Sequence, residues 1–432
     1  MSSFLVNEKI ILTNNSSNQD AFDRLRISEP NLLFNYDLSL GKLPFLINEL
    51  LSASGATITF DIEQPTIDLK LTGSGITGKA IRQSFEYVPY QPGKSKLMLF
   101  SGVLEAENGG ITGVFSRIGC FDSSVEKTDV AGNGNGLFFE LGGENGKILN
   151  VVKRLNDIDT KVAKSDWNYD KFDGTGPSGL TINDFSKALK FAIDQEWLGT
   201  GRVRYGFVVN GLFRLGHSFN HFGAEAIQVP YTKTAKLPVR YEISSIEPQI
   251  ATMRMLSSVV LSEGGFEPTG LSFSIGRFSG KTLTIDTGTN PVPLISLRLH
   301  ELEPYNRKTL SLRKFTVLID IDKSIQWDLY MLPDSSNLIG KSFVDVNTAN
   351  SLAEYDVSAT GITGSGNILL ASGYGDNSII NEFNYDRYLV SALVNSSITG
   401  LSKVLCLCGV KLPNQNGADP TVRASLSWIE IT

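Results

Sequence analysis

The sequence predicts an all-β protein, two antiparallel β-sandwiches in tandem behind an extended N-terminal arm. Three observations carry that expectation. Short runs of alternating apolar and polar residues recur along most of the chain, the period of a half-buried strand. The 41 glycines supply turn signals between those runs. Helical patterns of the length needed to cross between parallel strands are lacking, which argues against the doubly wound and barrel α/β classes. At 432 residues the chain exceeds the ~250–300 at which a single core stops growing, so each half is expected to bury a core of its own.

Residues 1–35 read as the arm. After one short strand-like run, Ile10 to Thr13, this segment is rich in Asn and Ser, and Pro30 argues against helix at Glu29. Residues 36–247 read as the first sandwich. Thr57 to Ile62 and Ile67 to Leu71 alternate as half-buried strands do. Ile81 to Val88 ends at the turn Pro89-Tyr-Gln-Pro-Gly93, and Lys96 to Phe100 resumes as a strand. Phe115 to Phe121, Gly136 to Leu141 and Ile148 to Leu155 follow. The segment from Asn183 to Phe191 carries a weak helical spacing through Ile182, Phe185, Leu189 and Ile193. A central hairpin is then expected, in which Leu189 to Trp197 and Val203 to Val209 flank Gly199-Thr-Gly201. Phe213 to Phe219 and Val239 to Ile243 complete this half.

The pattern pauses at Ser245-Ile-Glu-Pro-Gln249, which places the second sandwich at residues 248–432. Its strands are expected at Met253 to Ser262, Gly270 to Ile275, Thr282 to Ile285 and Leu294 to Leu299. Phe315 to Ile321, Ile325 to Met331, Val404 to Leu412 and Val422 to Ile431 complete the set. No short-period repeat of the solenoid or propeller kind is present.

A net charge of −6 and a pI near 5.3 provide no positive field to hold nucleic acid or an anionic membrane. An odd number of cysteines, Cys120, Cys406 and Cys408, does not make a disulfide framework. Strand alternation puts Cys406 and Cys408 on one face, where buried thiols are the expected reading and no second ligand cluster suggests a metal. The N-terminus lacks the regions of a signal peptide, and no apolar run reaches the ~18 residues of a membrane span. The expectation is synthesis in the cytoplasm, without membrane insertion, followed by a soluble existence or assembly into a particle.

Several motifs carry chemistry in other proteins. Gly174-Thr-Gly-Pro-Ser-Gly179 spells the dinucleotide fingerprint, but a charged aromatic loop precedes it and Pro177 removes an N–H donor. Asp166, Asn168 and Asp170 take the first, third and fifth positions of a calcium loop. Lys171 and Pro177 then stand where that loop needs Gly and a bidentate Glu, which excludes an EF-hand. A looser oxygen site from Asp166, Asn168, Asp170 and Asp173 stays open beside a self-capped Asx turn. Trp167 and Tyr169 among these acids suit either a packed core or stacking on a sugar ring. Asp194 and Glu196 on one strand face would stand ~6–7 Å apart, close to the ~5–5.5 Å of a retaining glycosidase. Asp320 and Asp322 read as solvent-facing strand residues, and His217 and His221 lack a third ligand for zinc.

Several blocks resemble a known family. They are Phe22-Asp-Arg-Leu-Arg-Ile-Ser-Glu-Pro30, Tyr90-Gln-Pro-Gly-Lys-Ser95, Ser165 to Gly179, Glu196-Trp-Leu-Gly-Thr-Gly-Arg-Val-Arg-Tyr-Gly-Phe207, Leu237-Pro-Val-Arg-Tyr-Glu-Ile243 and Ser262-Glu-Gly-Gly265. Together they are similar to the signature blocks of a large family of uncharacterised proteins of tailed bacteriophages and other large DNA viruses. The stretch from Asp166 to Ile243 is also similar, at motif level, to jelly-roll and lectin-like sandwich domains. The resemblance implies a virion structural protein without catalytic residues or cofactors, homo-oligomeric, whose partners are other virion proteins and whose arm docks on a neighbour. The alternative is a module that binds a host-surface glycan through Asp166, Trp167, Asn168, Tyr169, Asp170 and Asp173. A sandwich-fold glycosidase using Asp194 and Glu196 is the third reading.

Overall fold

The computed structural model describes residues 19–431 without 23, 25–28, 52–54, 75–76, 128–131, 144–145, 222–228, 266–268, 285–290, 303–304, 321–322, 377, 383–392 and 414–417. The run Ile10 to Thr13 and most of the expected arm therefore lie outside the described residues. In the first half, β1 (Pro30–Tyr36), β2 (Ile47–Leu51), β3 (Ala56–Asp61), β4 (Thr66–Thr72) and β5 (Lys79–Val88) come first. They are followed by β6 (Lys96–Glu107), β7 (Val114–Phe121), β8 (Gly136–Gly142), β9 (Leu149–Leu155) and β10 (Ile158–Ala163). β11 (Leu189–Gln195), β12 (Val203–Val209), β13 (Leu212–Phe219), β14 (Leu237–Ser245) and β15 (Ile250–Glu263) complete it.

These strands make an 8-stranded sheet in the order β13-β12-β11-β6-β15-β4-β3, with β1 beside β15, and a 7-stranded sheet in the order β10-β9-β8-β7-β14-β5-β2. Their pairings are antiparallel. The period-2 pattern decides which side chains meet. On β7, Val114, Ile118 and Cys120 face inward with Phe139, Tyr241, Met98 and Tyr205 in one core. Arg117, on the opposite face, bonds Glu140 at 2.8 Å and reaches Glu242, its direct cross-strand partner.

The second half repeats the plan with two further sheets. One contains the strands Gly270–Gly276, Thr309–Ile319, Ser378–Glu382 and Thr421–Ile431; the other contains Val292–Leu299, Ser324–Leu332, Ile368–Asp376 and Val404–Lys411. Leu297, Phe315, Trp327, Leu407 and Trp428 are among the residues of their common core. Among the described residues the regular elements are strands and short 3-10 turns, without an α-helix. The all-β sandwich architecture is thus as the alternation predicts. The weak helical spacing at Asn183 to Phe191 yields to a loop and the start of β11, because Phe191 and Ile193 pack into the sheet core.

Two boundaries differ from the sequence-based ones. β15 is hydrogen-bonded to β6, β4 and β1, so the passage from one sandwich to the other lies between Glu263 and Gly270 instead of at residue 247. Pro30 to Asn35, assigned above to the arm, belong to the strand Pro30–Tyr36 of the first sandwich, with Leu33, Phe34 and Tyr36 in the core. Cys120, Cys406 and Cys408 are buried free thiols, and the Sγ atoms of Cys406 and Cys408 lie 3.4 Å apart on one strand face.

The two sandwiches touch through polar contacts. Arg307 of the second reaches Asp122 of the first at 2.6 Å, and the Ile398 amide donates to Asn48 Oδ1 at 2.9 Å. Lys403 is buried, donates to the Phe45 carbonyl at 2.8 Å, and places its ammonium 3.5 Å from the centre of the Phe85 ring. Burial pushes its pKa down to about 7, below the ~10.4 of an unfolded lysine. The unfolded chain therefore holds the proton more tightly between those two values, and stability rises as pH climbs through that window. Lys403→Met is expected to remove this slope and to stabilise the protein near neutral pH by roughly 1–2 kcal/mol. Thermal melts at about pH 7 and about pH 10 check this; a variant that keeps the wild-type slope refutes the assignment to Lys403.

Candidate functional site

The polar loop before β11 is built on β13. A 3-10 turn at Lys164–Asp166 directs Trp167 inward, where it is 2% exposed and its Nε1 donates to the Val162 carbonyl at 3.2 Å. The ring packs on the backbone of Gly216, where an added Cβ would come within 2.5 Å of Trp167 Cε3. Phe172 stands edge-on to Trp167 at 6.1 Å, and Phe139 and Phe207 close the cluster. Phe172 holds a φ of 48°, left-handed backbone that a bulky side chain adopts only under the constraint of its packing. Trp167 therefore belongs to the core and has no free face to offer a sugar.

The polar side chains of the loop are committed in the same way. Asn168 clamps one residue of β13, donating to the Ser218 carbonyl at 3.0 Å and accepting from the Ser218 amide at 2.9 Å. The amides of Tyr169 and Asp170 both donate to the Gly216 carbonyl at 3.0 Å. The buried Asp170 carboxylate accepts from Phe172 N and Ser178 N, each at 2.8 Å. Asp173 accepts from Thr175 N at 2.9 Å and Thr175 Oγ1 at 2.6 Å, and those bonds hold its carboxyl below the ordinary range. Asp166 and Asp173 are exposed and Tyr169 is half-buried. The Asx-turn reading, with side chains bonding nearby amides, describes this geometry. No helix opens after Gly174 to Gly179, so the segment lacks the anion-binding N-terminus of a dinucleotide site.

The proposed glycosidase pair is split. Asp194 is wholly buried on β11 and bonds the guanidinium of Arg204, its direct cross-strand partner on β12. Glu196 lies past the end of β11, where its carboxylate accepts from the Arg202 amide at 3.3 Å. One carboxylate is sealed by an arginine and the other faces a loop, so they do not share a strand face open to substrate. The histidines likewise serve packing. Burial pushes His217 down to about 4, and His221 lies 2.6 Å from the Gly201 carbonyl and stacks on Tyr231 at 4.2 Å. Asp320 is exposed and paired with Arg423, and Asp322 lies outside the described residues.

What the sequence does not announce is that its separate blocks converge. Asp20 accepts from the Arg24 amide and Arg24 Nε, both at 2.8 Å, and from Ser95 Oγ at 3.1 Å. Burial works against ionisation there, yet these bonds from Arg24 and Ser95 hold the Asp20 carboxyl below its ordinary range. Arg24 Nη1 donates to the Gly93 carbonyl at 2.9 Å, and Arg202 Nη2 to the Ala21 carbonyl at 2.7 Å. Arg204 Nη2 donates to the Gln19 carbonyl at 2.7 Å, and the Glu263 amide to the Ser95 carbonyl at 3.0 Å. Tyr90 and Trp197 meet edge to face at 5.9 Å. Four stretches far apart in sequence, at 19–24, 90–95, 194–204 and 262–265, thus form one hydrogen-bonded clasp around the root of the N-terminal segment. The one local signal for it is the density of Arg beside Gly in Gly199-Thr-Gly-Arg-Val-Arg204; the pairing itself is non-local.

No family model matches the chain, and no curated protein matches it. Among solved structures the chain is similar to a carbohydrate esterase from Shiga toxin-encoding bacteriophage phi24B, at 11% identity over 55% of this chain and 100% of that one, with a TM-score of 0.31. It is similar to the β-glucanase of Bacillus licheniformis at 10% identity, over 55% of this chain and 98% of that one, with a TM-score of 0.29. A legume lectin-like domain from Entamoeba histolytica gives 10% identity over 53% of this chain and 96% of that one, with a TM-score of 0.30. Scores at that level leave the question of function to the residues themselves. No helix among the described residues is long and apolar enough to cross a membrane.

Proposed function

We propose that the chain is a non-enzymatic virion structural protein of a tailed bacteriophage, assembling through its sandwiches and its N-terminal arm. The observation that supports this reading is the clasp. Gln19 and Asp20 are buried at 5% and 2% exposure and fastened to Arg204 and Ser95, so the first described residues of the chain are anchored on the first sandwich. An anchored arm that reaches a neighbouring subunit or another virion protein binds it at high effective concentration, which suits assembly into a particle. Catalytic readings lose support where the geometry has spent their groups, as at Asp194 and Asp170. The viral family resemblance of the clasp-forming blocks points the same way. Immuno-labelling of intact particles is expected to find the chain, and a chain lacking residues 1–18 is expected to fold yet stay out of the particle. Absence of the full chain from the virion would sink the proposal.

Recognition of a host-surface glycan is the second reading. It is favoured by the half-buried Tyr169 beside the exposed Asp166 and Asp173, the part of the loop left at the surface. Binding on a glycan array that is lost in Tyr169→Ala but kept in the arm deletion would favour it over assembly alone.

A further inference from the structure

Where the two sandwiches meet, a small cleft opens beside the end of β5. Tyr87, Pro89 and Ile431 form its apolar wall, Lys236, Arg307 and Lys308 its cationic wall, and Glu86 is the acid among them. The cleft is shallow and open to solvent, so a ligand that engages its cations sits at the mouth and not in an enclosed cavity.

Several buried cations of the first sandwich and the junction have acidic partners. Lys127 and Arg307 meet Asp122, and Arg117 and Arg240 meet Glu242. Lys236 and Lys308 are half-buried, and among the described residues neither ammonium has an acidic partner or a hydrogen-bond acceptor. Behind them Lys96 is wholly buried, its ammonium 2.5 Å from the Ala235 carbonyl. Burying an ammonium without a counterion is costly, and the group responds either by giving up its proton more readily or by taking a counter-charge from a ligand. Burial, then the nearness of Lys308 and Lys96, pushes Lys236 down to about 8; burial lowers Lys308 as well. Glu86 has interactions of its own, and Arg307 is turned toward Asp122 on the opposite sandwich.

We propose that this cleft binds a phosphate-type oxyanion between Lys236 of the first sandwich and Lys308 of the second, with Arg307 behind them. Lysine ammoniums act as point charges suited to phosphate oxygens, and the two without acidic partners, Lys236 and Lys308, match the charge of a dianion. Because Lys236 precedes β14 and Lys308 precedes the strand Thr309–Ile319, an anion that engages both ties the sandwiches together and stabilises their junction. The inference is independent of where the protein resides in a particle.

Thermal melts of the full chain in inorganic phosphate, against chloride at matched ionic strength, test it. The melting temperature is expected to rise with phosphate and not with chloride, saturating at millimolar concentration, on the order of 1 mM for half-effect. The double variant Lys236→Met, Lys308→Met is expected to melt in chloride at least as high as the wild type, which shows that it folds, and to need at least about tenfold more phosphate for the same rise. An equal response in the double variant, or no phosphate-specific rise in the wild type, overturns the proposal. Glycerol phosphate in a parallel arm separates the sources. A stronger response than to the free ion assigns the site to a phosphate group on a larger molecule, and a weaker one to the free ion.

Discussion

Asp194→Ala is expected to destabilise the first sandwich by roughly 3–5 kcal/mol, because it leaves the Arg204 guanidinium buried without its countercharge. Both side chains are sealed, at 0% and 1% exposure, and they face each other across β11 and β12 in the interior of the sheet. The desolvation of two ions is already taken up in folding, so removing one partner forfeits the attraction and keeps the other partner's cost. Replacing both, Asp194→Leu with Arg204→Met, is expected to recover most of the loss, since an apolar pair of similar volume pays no desolvation. Urea titrations of the single and double variants measure this through their midpoints. Near-additive losses would mean that the pair is not the interaction that stabilises this site. The same experiment separates a structural carboxylate from a catalytic one, since a catalytic Asp194 would lose activity on a glycan in the single variant with little change in stability.

Trp167→Ala is expected to cost about 3–5 kcal/mol, the range for emptying a buried tryptophan. For a sandwich of this size, at roughly 2–4 °C per kcal/mol, that lowers the melting temperature by about 10 °C. The ring fills the space over Gly216 and contacts Phe172, Phe139 and Phe207, so its loss opens a cavity under the loop that Asn168 and Asp170 hold in place. Tyr169→Ala, at a half-buried position, is expected to change stability by less than about 1 kcal/mol. Equal melting temperatures for Trp167→Ala and the wild type would return Trp167 to the list of surface ligands.

The strands that alternate cleanly were legible because a period of two is a local property. β11 and β12 are the expected hairpin at the expected residues, inside the sheet, and Val404–Lys411 carries both cysteines on one face. β10 was not legible: every residue from Ile158 to Ala163 is exposed or half-buried, and without a buried face it shows no apolar stripe. β1 was misassigned because Pro30 and its polar neighbours resemble a linker, while the partner that makes them a strand is β15, more than two hundred residues away. The loop from Asp166 to Gly179 could be denied a nucleotide or an EF-hand from residue types alone. Whether its oxygens faced a ligand or their own amides depended on where Gly216 and Ser218 came to lie.

The opening alternation, the turn residues and the acidic balance thus determined the class of fold and the absence of a strong positive field, since each depends on composition and near neighbours. The tertiary structure alone decided that Asp194 is a sealed partner of Arg204, that Asp20, Arg24, Ser95 and Arg202 form one clasp, and that Lys236 and Lys308 line one cleft at the junction. Those are meetings of distant segments, and burial, which sets the energy of a charge, exists only once the segments have met.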